Sequence, residues 1–196
     1  MKPVIVAAVF IASACSCAQT RVDTTYRVEL TATASPMIDF FRYPRVPGTA
    51  SKTSVGYGGS LRVLWHPSRL LSIGLLSGYF VISQDEFSVH LPTADLNYST
   101  RLAAVPLQIA LSMQKHGLEM GVEIGSYLMM TRIWGGDSPP ASGSRLELAM
   151  SIFGSYLFLL NETIQIGPEL RVVDLRYRGI VCVMPSCSFR IIPLRY

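Results

Sequence analysis

Charge is scarce in this chain. Asp, Glu, Lys and Arg make up 15% of its 196 residues, against about a quarter of an ordinary soluble domain. Lysine is scarcer still, with Lys2, Lys52 and Lys115 alone, so arginine supplies 14 of the 17 basic residues. The net charge of +4 comes without a basic run or a basic-aromatic platform, which excludes nucleic acid as a partner. No apolar stretch reaches the ~20 residues of a membrane helix. The chain also lacks G-x-S-x-G, H-E-x-x-H and P-loop patterns, so no nucleophile, zinc or phosphate site stands out. Its three histidines, His66, His90 and His116, fall apart from one another, and exposed turn histidines are the plain reading for His66 and His116. The expectation is no catalytic residue, no metal site and no cofactor.

What is present begins with Lys2, an apolar run from Val4 to Ile11 and then small residues. That order reads as a secretory signal over residues 1–18, cleaved after Ala18 or Ala14. Lipidation at Cys15 or Cys17 is the alternative. The remaining domain, 19–196, keeps only Cys182 and Cys187. Export to an oxidising compartment leaves a Cys182–Cys187 disulfide open, while C-x4-C without further ligands argues against zinc.

Hydrophobic period decides the fold class. In Thr100–Met130, Val105, Leu107, Ile109, Leu111 and Met113 alternate with small or polar residues. After Gln114–Gly117, Leu118, Met120, Val122 and Ile124 alternate with Glu119, Gly121, Glu123 and Gly125. Period two on both sides of a short turn is a β-hairpin. The same alternation recurs at 26–34, 54–66, 70–83, 145–158, 164–173 and 188–196, making eight strands. Connections alternate between long (35–53, 84–99, 133–144, 174–187) and short (66–69, 114–117, 159–163). Even strand number with every second connection short predicts an all-β, eight-stranded antiparallel up-and-down transmembrane β-barrel. Short periplasmic turns would close one end and long external loops the other. Mid-strand Pro106 and Pro168 predict local bulges.

If the greasy faces meet lipid, the inward set is charged. Arg27, Arg62, Arg145, Arg171 and Arg195 face Glu29, Glu119, Glu123, Glu147 and Glu169. Such balance is what a closed interior of low dielectric requires, and eight strands leave room only for side chains. A plugged barrel follows, not a diffusion pore. The competing reading is a soluble exported lipocalin-like barrel with its apolar face around a ligand.

The stretch AVPLQIAL at 104–111, its turn and the glycine-spaced strand after it resemble the small outer-membrane β-barrel family with a PorT-like domain. Leu71–Tyr79 resembles that family's G-spaced strand, and Ile166–Leu170 its penultimate one. The resemblance spans 24–196 and implies a barrel in the outer membrane, with no catalytic residues to carry over. Tyr196 resembles the terminal aromatic read by the barrel-insertion machinery.

The resulting expectation is a non-enzymatic barrel in contact with outer-membrane lipid, structural or surface-interacting in role. The aromatic and basic segment Phe40, Phe41, Arg42, Tyr43 and Arg45 is its candidate contact surface for a protein or glycan partner. The alternatives are an outer-membrane lipid-acting enzyme using His90 as base, and a small-solute channel.

Overall fold

The computed structural model describes residues 26–41, 53–67, 70–91, 94–135, 139–175 and 179–195, excepting the side chains of 41, 53–54, 87–91, 94–96 and 195. The signal segment with Cys15 and Cys17, and Arg42, Tyr43 and Arg45, lie outside these residues. The chain runs through β1 (Arg27–Phe41), β2 (Thr53–His66), β3 (Leu71–Leu91), β4 (Ala94–Lys115), β5 (Leu118–Gly135), β6 (Ala141–Tyr156), β7 (Phe158–Leu159), β8 (Ile164–Leu175) and β9 (Ile180–Arg195). The two residues of β7 pair with β8 in the register already set by β6, so β7 continues β6 beyond Leu157. Each of the eight long strands pairs antiparallel with its neighbours in sequence. The ring closes where β1 pairs with β9 and β6 with β8. Closure leaves no sheet edge through the barrel wall.

The turns at one end are tight for local reasons. Lys115 pairs with Leu118 across His116 and Gly117, both at positive φ (51° and 84°), the backbone of a two-residue hairpin turn. Asn161 Oδ1 accepts from the amides of Thr163 (2.9 Å) and Ile164 (2.7 Å), closing the next hairpin.

At the opposite end the strands run past their expected limits. The segments 84–99 and 174–187, expected as loops, are mostly strand: β3 reaches Leu91 and pairs it with Ala94, and β9 begins at Ile180. Strand β1 likewise extends through Ser35–Phe41. Pairing of β2 with β3 stops at Tyr57–Val81, and pairing of β6 with β8 stops at Ala149–Leu175. The outer parts of β3, β4, β5 and β6 therefore project beyond the ring as a continuation of the same sheet.

Neither proline bulges its strand. Pro106 opposes Tyr127, and Pro168 opposes Cys187, in unbroken register. A proline removes one ladder donor, and the paired neighbours on both sides hold the strand in place. The register shifts lie elsewhere, opposite Val28–Leu30 and within Val81–Ser83. The first places an extra residue in β9 around Ile192–Pro193, so Ile192 and Leu194, two apart and expected on one face, lie on opposite ones. Ile192 is buried and Leu194 exposed, because a bulge moves the alternation by one.

The same strand settles the cysteines, which do not pair. Both are free, Cys182 buried and Cys187 exposed. They lie on one extended strand, so five residues separate their Cα atoms by about 16 Å, where a disulfide needs about 7 Å or less. Odd spacing also sends the two side chains to opposite faces. N-ethylmaleimide applied to the unreduced protein in denaturant should modify both Cys182 and Cys187. A disulfide-linked peptide in the mass spectrum would contradict this arrangement.

Candidate functional site: the barrel interior and its girdle

The alternation that builds each strand also sorts its side chains. Outward positions are large, apolar and exposed, among them Val63 and Trp65 on β2, Leu107 and Ile109 on β4, and Leu148 and Ile152 on β6. On β4 the outward row from Ala103 to Met113 holds no polar side chain and ends in Arg101 at one side and Lys115 at the other. Ten residue steps span about 33 Å along a strand. At a tilt near 40° this gives about 25 Å of height, the apolar band of a membrane barrel. Exposing such a surface to water would be unfavourable by about 25 cal/mol per Å² of apolar area, so the exterior matches hydrocarbon.

The interior is stratified. Around its middle, Arg62 reaches Glu123 Oε1 through Nη2 (2.8 Å) and Nε (3.1 Å), and Glu169 Oε1 through Nη2 (3.2 Å). Arg171 donates to the same Glu169 Oε1 at 2.7 Å and lies 3.5 Å from Glu123 Oε2. Ser151 donates to Glu123 (2.6 Å) and Ser188 to Glu169 (2.9 Å), filling the remaining lone pairs. The Arg62 guanidinium also stacks 3.8 Å above the Phe153 ring, a favourable place for a planar cation.

Nearer the turn end a second group surrounds Glu29 and Glu119. Arg190 contacts Glu29 Oε2 at 2.8 Å and donates to Thr31 Oγ1 at 3.0 Å and to Glu119. Arg27 Nε lies 2.7 Å from Glu29 Oε1, and Arg27 also donates to Gln114. His66 Nε2 is 2.9 Å from Glu29 Oε2, and Ser112 donates to Glu119 at 2.6 Å.

Toward the loop end the inward residues become apolar: Met37, Phe80, Ile82, Met129, Leu175 and Met184 cluster with Tyr127 and Cys182. This plug is absent from a reading in which the inner face is simply polar. The polar side of each period-two pattern gives way to Met, Phe and Leu in the outer third of the strands.

The structure thus brings Glu29, Arg62, Glu119, Glu123, Glu169 and Arg171 together and buries Glu147. Arg145 differs: its side chain is 59% exposed and 3.8 Å from Glu147, because residue 145 lies where β6 has left the ring. Arg195 lies outside the described side chains. Two members were missed. Arg190 is fully buried, hidden from periodicity by the β9 bulge. His66 is also buried, not an exposed turn residue, since it ends β2 opposite Arg27. His116 is exposed in its turn. His90 stands on β3 opposite Asp95, and Phe40 faces outward, half exposed. Among the described residues six carboxylates are buried, with Asp39 the sixth, against three arginines. The equal balance read from the sequence is replaced by arginines that each bridge two carboxylates.

Ring closure, an exposed apolar band and a packed, ion-paired interior define an eight-stranded antiparallel β-barrel of the membrane-spanning type. No family model matches the chain, and no curated protein matches it. Among solved structures it is similar to Neisserial surface protein A, at 8% identity over 85% of this chain and 96% of that one, with a TM-score of 0.45. It is also similar to the attachment invasion locus protein Ail of Yersinia pestis, at 10% identity over 87% and 100%, with a TM-score of 0.46. The N-terminal β-barrel domain of Pseudomonas aeruginosa OprF matches at 14% identity over 83% and 97%, with a TM-score of 0.37.

Proposed function

We propose that the chain is a non-enzymatic integral outer-membrane β-barrel whose role is structural or surface-interacting, with its outer sheet as the displayed surface. One observation carries this reading: an exterior apolar around the ring encloses an interior whose middle is spanned by Arg62, Arg171, Glu123 and Glu169. A wall of that kind belongs in a bilayer, and a lumen crossed by ion pairs is not a path for solutes. The PorT-like resemblance of 104–111 belongs to the same reading, as do export through a cleaved signal and insertion guided by the C-terminal strand. The projecting parts of β3, β4, β5 and β6 stand beyond the apolar band, where a protein or glycan partner would meet them.

Unboiled protein should migrate differently from boiled protein on a detergent gel and give β-type circular dichroism in micelles. In a planar bilayer it should produce no steps of conductance. A helical spectrum would overturn the barrel, and stable conducting steps would overturn the plugged interior.

A further inference from the structure

Two arginines mark the loop-end border of the apolar band. Arg101 on β4 and Arg132 on β5 are directly opposed, and opposed residues in an antiparallel pair share a face with Cα atoms about 4.5–5.5 Å apart. That face is the outward one, continuous with Val105 and Leu107 on β4 and with Leu128 and Met130 on β5. Like charges so placed repel, and an anion between them would relieve that repulsion. Glu86 lies on the same face, opposite Ser99 and diagonal to Arg101, yet among the described residues neither guanidinium is ion-paired. Arg101 Nε is shielded from solvent and has no hydrogen-bond acceptor among the described residues. Trp134 follows two residues after Arg132 on the same face, a residue type favoured at the polar border of a bilayer.

We propose that Arg101 and Arg132 form a clamp for the phosphate of a lipid headgroup in the leaflet at the loop end. This rests on the membrane-spanning reading above. A phosphate offers several acceptor oxygens and the negative charge that cancels the repulsion, and guanidinium forks suit it in two-point contact. The position selects a lipid over a soluble anion. The pair stands where acyl chains end on the outer wall, so a bound lipid buries its chains along Leu107 and Leu128 while its phosphate meets the arginines.

The test uses native mass spectrometry of the folded barrel in micelles, with dioleoyl phosphatidic acid, dioleoylglycerol and inorganic phosphate as probes. Phosphatidic acid should remain bound at about tenfold lower concentration than dioleoylglycerol, which has the same chains and no phosphate. The R101Q/R132Q double variant should lose that difference. Equal retention of the two lipids, or unchanged phosphatidic acid binding by the double variant, would overturn the clamp. Displacement of the lipid by equimolar inorganic phosphate would overturn the headgroup as its ligand. The heat-dependent gel shift is measured first: its absence from the wild type would overturn the barrel and the clamp together, whereas its presence with equal lipid retention overturns the clamp alone.

Discussion

Arg62→Met should destabilise the barrel by about 3–5 kcal/mol, the range for removing one member of a buried ion pair. Arg62 is fully buried and bridges Glu123 and Glu169, which sit on β5 and β8. Methionine fills much of the volume and leaves both carboxylates facing Arg171 alone. Two negative groups would then share one cation in a medium of low dielectric, and the uncompensated charge dominates the cost. Urea unfolding in micelles, followed by tryptophan fluorescence or the gel shift, gives the difference. The double variant R62M/E123Q should recover part of the loss, since it removes the stranded charge along with the cation. A midpoint unchanged in Arg62→Met would show that the network does not hold these strands together.

Gly74→Ala should lower the folding equilibrium constant about tenfold or more, because overpacking costs ~1–3 kcal/mol even where side chains can shift. Here they cannot. A Cβ on Gly74 would fall 1.8 Å from the Val63 carbonyl oxygen and 2.9 Å from Leu64 Cα, both backbone atoms of β2. Strand β3 can lie that close to β2 only while residue 74 has no side chain. Gly143→Ala is the comparison, because a Cβ there meets nothing within 4 Å, and its equilibrium constant should match the wild type. The folded gel band followed through a urea series reads both. An unchanged urea midpoint in Gly74→Ala would mean that the β2–β3 approach is looser than the geometry requires.

Most of the barrel wall is legible in the sequence, and the reason is physical. Within the apolar band each strand has hydrocarbon on one side and packed polar groups on the other, so Leu107, Ile109 and Leu111 must alternate with Gln108, Ala110 and Ser112. Beyond the band both faces of a strand meet water and the alternation loses its cause. That is why 84–99 read as a loop although β3 and β4 pair along it to Leu91 and Ala94. Backbone pairing continues there without a hydrophobic signature. The interior charges were legible as a set, from parity alone, but not as pairs. Arg190 was invisible because the bulge near Pro193 shifts the parity that would have revealed it, and Arg145 was overcounted because parity does not report where a strand leaves the ring.

By itself the sequence determined the all-β class, the eight-strand count and which face of each strand in the apolar band is greasy, since these follow from local period and connection length. Tertiary structure alone decided which arginine meets which carboxylate, the separation of Cys182 from Cys187, the apolar plug and the meeting of Arg101 with Arg132. These depend on register between strands distant in sequence. A slip of one residue exchanges the faces of a whole strand, and no local pattern records the slip.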